Sequence, residues 1–161
     1  MNRSTIRPQF KFDKLGSFDH CVGRSHILPI PPGCKISVML PKAIQFVPMM
    51  HAIDLRRTID FYSLLGFEPT GKQNDPEGKL IWTWLRCGDC HVMFSRTDEP
   101  IDETKQGVWF YLYTENVIAT REHLLAHSVE CSEIKRPFYM PQGEMTVKDP
   151  DGYCLIVAQG N

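Results

Sequence analysis

One spacing organises most of this chain. Asp54 and Asn116 lie 62 residues apart, as do Leu55 and Val117, Thr58 and Thr120, Gly66 and Ser128, and Glu68 and Glu130. In the first copy, Phe46 to Ile53 reads as a strand and Asp54 as the helix cap that follows it, its carboxylate accepting from free first-turn amides. Thr58, Phe61, Tyr62 and Leu65 then recur at the i, i+3, i+4, i+7 spacing of one helical face. Gly66 supplies a left-handed stop. Strands are predicted at Phe67–Thr70, Leu80–Arg86 and His91–Ser95, the last two joined by a tight turn at Gly88-Asp89. The second copy repeats the order. Val108 to Tyr113 is a strand, Asn116 a cap, and Val117, Thr120, Leu124 and Leu125 an apolar helical face. Ser128 stands at the stop, and short strands follow near Cys131–Ile134, Glu144–Val147 and Tyr153–Ala158. The expected fold class is α+β, with two tandem βαβββ modules at about 45–97 and 107–160. A unit of this size cannot close a core alone, so the two must pack together or exchange between chains.

Charge separates this body from what precedes it. The whole chain carries a net charge of -1, which excludes a strongly basic nucleic-acid binder. Residues 1–44 hold seven basic and two acidic side chains, whereas 45–161 hold eleven basic and seventeen acidic, a balance of -6. Five of the twelve prolines fall before residue 45, and Ile30-Pro31-Pro32-Gly33 is a loop signal. We read 1–44 as a loosely ordered basic arm, with Ile36, Val38, Leu40 and Ile44 able to add an edge strand. The alternative is that the biological start is Met39. No apolar run approaches the roughly 20 residues of a spanning helix, and Met1 to Phe10 lacks the apolar core of a secretory signal. A cytoplasmic protein with six reduced cysteines is therefore expected.

Strand alternation assigns the two faces of each sheet. Leu85, Val92, Phe94, Phe110, Leu112, Leu155 and Val157 belong on the helix side. The opposite register holds Val47, Met49 and His51; Trp82, Trp84 and Arg86; and His91, Met93 and Ser95. In the second module it holds Trp109, Tyr111 and Tyr113; Glu144, Thr146 and Lys148; and Cys154, Ile156 and Ala158. All three tryptophans thus gather away from the helices. An apolar surface that large, carrying a few polar groups, matches a small-molecule pocket. The competing reading is an intersheet or dimer core. For a pocket, the lining is Met49, His51, Trp82, Trp84, His91, Met93, Trp109, Tyr111, Tyr113 and Glu144.

At this point the chain resembles the vicinal-oxygen-chelate superfamily, which includes glyoxalase I, bleomycin-resistance proteins and extradiol dioxygenases. The resemblance is carried by Asp54-Leu55-Arg56-Arg57-Thr58-Ile59-Asp60-Phe61-Tyr62 with Leu65-Gly66-Phe67, by Trp84-Leu85-Arg86-Cys87-Gly88-Asp89, and most specifically by Asp149-Pro150-Asp151-Gly152-Tyr153. It implies a cupped, mostly antiparallel sheet with helices on the outer face, often in a homodimer whose cups lie between modules. The metal-dependent members carry His, Gln or Glu at four cavity positions. By register against the helix cap and the Asp-Pro-Asp-Gly turn, these positions are Val47, Met93, Trp109 and Ile156, none of which offers an oxygen or imidazole ligand. The chain is thus more similar to the bleomycin-resistance branch. That likeness implies metal-free binding of a small organic molecule, with no cofactor and no reaction.

The rival is a glyoxalase- or dioxygenase-type enzyme whose metal has moved to His51, His91 and Glu144. It requires strands one and four to pair antiparallel with 47 opposite 93, which makes the two histidines diagonal neighbours. A third class is a structural or regulatory protein with the aromatic face buried in a permanent interface. Other motifs carry less. Cys87-Gly88-Asp89-Cys90 stands in a hairpin without a second such pair, so it reads as a turn rather than a redox or zinc motif. His123 and His127 project away from the Val117, Leu124 face and read as solvated. Asp98 to Glu103 reads as a solvated acidic linker. Tyr139-Met140-Pro141-Gln142-Gly143 is a loop at a strand end, placed to close over the pocket.

Overall fold

The computed structural model describes residues 43–160. The reading of residues 1–44 as a basic arm falls outside the described residues except at Ala43 and Ile44, which are exposed and belong to no strand, and the reading of Met39 as a start falls wholly outside them. The first module runs β1 (Met49–Ala52), α1 (Leu55–Ser63), β2 (Glu68–Asn74), β3 (Leu80–Cys87) and β4 (Cys90–Arg96). A short 3-10 turn at Glu103–Lys105 leads to the second: β5 (Trp109–Thr114), α2 (Val117–Ala126), β6 (Glu144–Lys148) and β7 (Cys154–Gln159).

The sequence repeat becomes a repeat of hydrogen bonds. Asp54 Oδ1 accepts from the amides of Arg56 and Arg57, and Asn116 Oδ1 accepts from Ile118 and Ala119. The Thr58 and Thr120 hydroxyls each donate back to the carbonyl of their own cap residue. At the helix ends, Phe67 N–H reaches the Tyr62 carbonyl and Val129 N–H reaches that of Leu124. Gly66 and Ser128 sit in the left-handed region, with φ of 82° and 62°. Both helix stops thus have the same geometry, although Ser128 carries a Cβ that this conformation disfavours.

The first sheet has strand order β1-β4-β3-β2 and the second β5-β7-β6. β2, β3 and β4 pair antiparallel, as do β6 and β7, while β1 runs parallel to β4 and β5 parallel to β7. This corrects the antiparallel β1–β4 pairing. The reason is the count of reversals: the helix returns the chain so that β2 runs with β1, and two hairpins bring β4 back to that direction. The expected strand at Cys131–Ile134 is also absent. Only isolated bridges remain, Cys131 to Val147 and Lys135 to Glu144. The register slips by one residue between them, a bulge that interrupts the ladder.

The core follows the predicted alternation. Leu85, Phe94, Val157 and Leu124 are fully buried, and Val92 and Leu155 nearly so. Phe110 and Leu112 pack half-buried against them. Residues from the helix sides of both modules form one continuous cluster. Leu125 departs from the expectation: it is exposed, because it turns past the edge of the face that Val117 and Leu124 bury.

Candidate functional site

The faces turned away from this core carry the predicted lining. On the first sheet, register aligns Met49 with Met93, Trp84 and Gly71 in one row, and His51 with Ser95, Trp82 and Gln73 in the next. A Cβ at Gly71 would stand 3.1 Å from the Trp82 ring, so glycine there lets the indole lie against β2. Trp82 meets Trp84 edge-on at 6.3 Å, and Trp84 meets His91 at 5.7 Å. Trp84 Nε1 donates to His91 Nδ1 at 3.0 Å. An accepting Nδ1 puts the proton of the neutral ring on Nε2, which then serves as a donor. Trp82, Trp84, His91 and Met93 are half-buried, whereas Met49 and His51 are exposed.

On the second sheet three rows cross the strands: Trp109–Cys154–Lys148, Tyr111–Ile156–Thr146 and Tyr113–Ala158–Glu144. Trp109 is 69% exposed and Tyr113 60%, an unusual state for such large rings. Tyr111 and Tyr113 stack at 6.1 Å with 28° between planes. Tyr139, outside the predicted lining, donates its hydroxyl to Glu144 Oε1 at 2.9 Å. The signal for it was an aromatic residue in the proline-flanked loop at the start of β6. That loop borders a cavity of about 470 Å³ lined by Tyr113, Tyr139, Met140 and Gln159.

The structure does not bring His51 and His91 together. Met49 pairs with Met93, so His51 lies opposite Ser95, four residues from His91 or about 13 Å along the strand. Glu144 belongs to the other sheet. No group of three His, Cys, Asp or Glu side chains among the described residues could hold a metal ion. The displaced ligand set of the enzyme alternative is therefore not assembled.

The Asp-Pro-Asp-Gly turn performs a different task from ligand binding. Asp151 Oδ1 accepts from the Ile53 amide at 3.1 Å, and its Oδ2 lies 3.4 Å from the Thr58 hydroxyl. The Tyr153 hydroxyl accepts from the His51 amide at 3.2 Å. Asp149 is only 5% exposed and takes three donors: the amides of Asp151 and Tyr153, and the Tyr62 hydroxyl. Burial lifts its carboxyl from 3.8 to about 6, against the lowering effect of those bonds. Burial, and then the same pairing with Asp149, pushes the Tyr62 hydroxyl well above the ordinary tyrosine range. This turn thus ties the second module to the start of the first helix.

Comparison with known proteins places this geometry. No curated protein sequence matches. Among solved structures, the bleomycin resistance determinant encoded on transposon Tn5 superposes with a TM-score of 0.59 at 18% identity, covering 74% of this chain and 99% of its own. The bleomycin-binding protein of Streptomyces verticillus, solved with copper(II)-bleomycin, gives 0.55 at 22% identity, covering 76% and 100%. A variant of the fosfomycin resistance protein FosX of Listeria monocytogenes, solved with Mn(II) and a dihydroxypropylphosphonic acid, gives 0.57 at 15%, covering 76% and 93%. These likenesses establish the fold. The family model for the glyoxalase/bleomycin resistance protein/dioxygenase superfamily matches residues 48–157, and with both modules, their shared turn and their outward faces in place, the chain belongs to that superfamily.

Proposed function

We propose that this protein binds a small organic molecule between aromatic surfaces without a metal, as a homodimer in which a second chain covers each open face. One observation carries the reading. The helix sides of both modules are used up in a common core, while Trp109, Tyr111 and Tyr113 point away from it and stay exposed. Apolar area of that kind is stabilised by something that covers it. Flat rings with few competing charges suit stacking on an aromatic or cationic ligand. Trp82, Trp84 and Met93 supply the facing apolar surface, His91 Nε2 a donor, and Met49 and His51 the rim. Val47, Met93, Trp109 and Ile156 at the family's ligand positions support metal independence, and the ligand chemistry belongs to residues 45–161.

The test is a thermal-shift and tryptophan-fluorescence titration with metal-free bleomycin and a panel of aromatic amines, with and without EDTA, alongside sedimentation analysis. A specific ligand raises the melting temperature as its concentration passes Kd. EDTA leaves the shift unchanged, Trp109→Ala abolishes it, and the protein sediments as a dimer. A shift that needs a divalent metal, or an aromatic face that no compound perturbs, would overturn the proposal.

A further inference from the structure

A cavity of about 140 Å³ lies where the two modules meet, lined from β1, α1 and β4 of the first and β5 and β7 of the second. Met50, Tyr62, Phe67, Val92 and Leu155 are its buried wall. Phe110 and Leu112, half-buried, close the β5 side. Cys90 and Tyr111 are exposed, and Pro48 and His91 half-buried, so these four form the mouth. The wall belongs to the shared core, whereas His91 and Tyr111 stand in the outward register with the tryptophans. The cavity thus opens toward the aromatic face and extends behind it.

Close-packed interiors leave few spaces larger than a water molecule, because an unfilled one sacrifices contacts. This one is braced against collapse. The Tyr62 ring meets Phe61 and Phe67 edge-on at 5.2 and 5.7 Å, and Phe94 at 5.0 Å. Its hydroxyl is the one O–H or N–H among the side chains of the buried wall, and it already donates to Asp149 at 3.3 Å. Among the described residues, no Asp, Glu, Lys or Arg lines the cavity. The buried acceptors without a partner belong to Gln106 and Glu144, which lie outside it. An ion would lose its hydration here with nothing to replace it, and a buried water needs two to four polar partners. An apolar space of about 150 Å³ suits one benzene-sized molecule. At the mouth, Trp84 occupies His91 Nδ1, so Nε2–H is free to meet a polar substituent that stays outside.

We propose that this intermodule cavity receives one uncharged, benzene-sized ring of the bound molecule, which enters past Cys90, His91 and Tyr111. This deepens the small-molecule reading above and rests on it. The ligand class becomes a compound with a terminal monocyclic apolar ring, and Leu112 becomes a residue that sets the size of ring accepted.

The experiment titrates toluene into the full chain carrying ¹³C-labelled methyl groups, followed by NMR. Saturable shifts at Met50, Val92, Leu112 and Leu155, with Kd below about 1 mM, are expected. Cys90→Phe, at an exposed position, narrows the mouth and weakens toluene at least about tenfold. Leu112→Ala widens the cavity, so naphthalene binds this variant at least about tenfold more tightly than it binds wild type. Trp109→Ala changes toluene affinity by less than about twofold, which separates the cavity from stacking on the outward face. The wild-type shifts need no variant to be read. Methyl groups unmoved by about 5 mM toluene, shifts that Trp109→Ala removes, or affinities that neither Cys90→Phe nor Leu112→Ala alters would overturn the cavity. Aromatic amines that still raise the melting temperature through Trp109 would then leave the small-molecule reading standing. If those amines fail as well, both readings fall.

Discussion

Asp149→Asn isolates the energetic cost of the turn that joins the modules. The side chain is buried, so its carboxyl rises from 3.8 to about 6 on folding. A group whose pKa is raised by folding gives stability that is complete below the unfolded value and lost as pH rises through the folded one. The loss totals about 3 kcal/mol for a shift of this size, of which about 1.3 kcal/mol falls between pH 5 and pH 7. Asparagine preserves the shape. Its Oδ1 still accepts from the Asp151 and Tyr153 amides, and its Nδ2 replaces Oδ2, to which the Tyr62 hydroxyl turns an oxygen lone pair. The variant cannot ionise, so its pH dependence lacks this contribution. All other titrating groups are common to both proteins and cancel in the difference. Urea unfolding at pH 5, 6 and 7 should therefore show wild type losing about 1.3 kcal/mol relative to the variant. A gap that stays constant with pH, or that moves the other way, refutes the argument that burial outweighs the three donors.

Ser128→Gly should stabilise the protein by about 0.5–1 kcal/mol, because it relieves a Cβ at φ 62°; chemical denaturation measures it, and a destabilised variant counts against strain at that stop. Gly71→Ala should displace the Trp82 ring, whose nearest atom would be 3.1 Å from the new methyl, and so shift the tryptophan emission and weaken aromatic ligands several-fold. An unchanged spectrum and affinity would show that Trp82 does not need that close approach. In Trp84→Phe the donor to His91 Nδ1 is lost. The ring ¹⁵N shifts of neutral His91 should then move from a dominant Nε2–H form toward a mixture of tautomers, and a spectrum like that of wild type would place control of the tautomer elsewhere.

Much of this was legible in the chain. Caps, helix faces and stops are local, so Asp54 and Asn116, or Gly66 and Ser128, announced themselves through spacing, and their hydrogen bonds repeat with it. Alternation likewise sorted Phe94 and Val157 inward and Trp109 and Tyr113 outward, because a strand has only two sides. What failed depended on direction and partners. The parallel pairing of β1 with β4 follows from the path of the whole module, and it separated His51 from His91. The bulge opposite β6 replaced a strand with two bridges. Tyr139 reaches Glu144, and Tyr62 reaches Asp149 from 87 residues away, only once loops and turns have closed. The sequence by itself determined the two modules and which side of each strand is apolar, since these depend on neighbours along the chain. The tertiary structure alone decided which polar groups meet and which carboxyl is buried, because those contacts exist only after distant segments share a solvent-poor space.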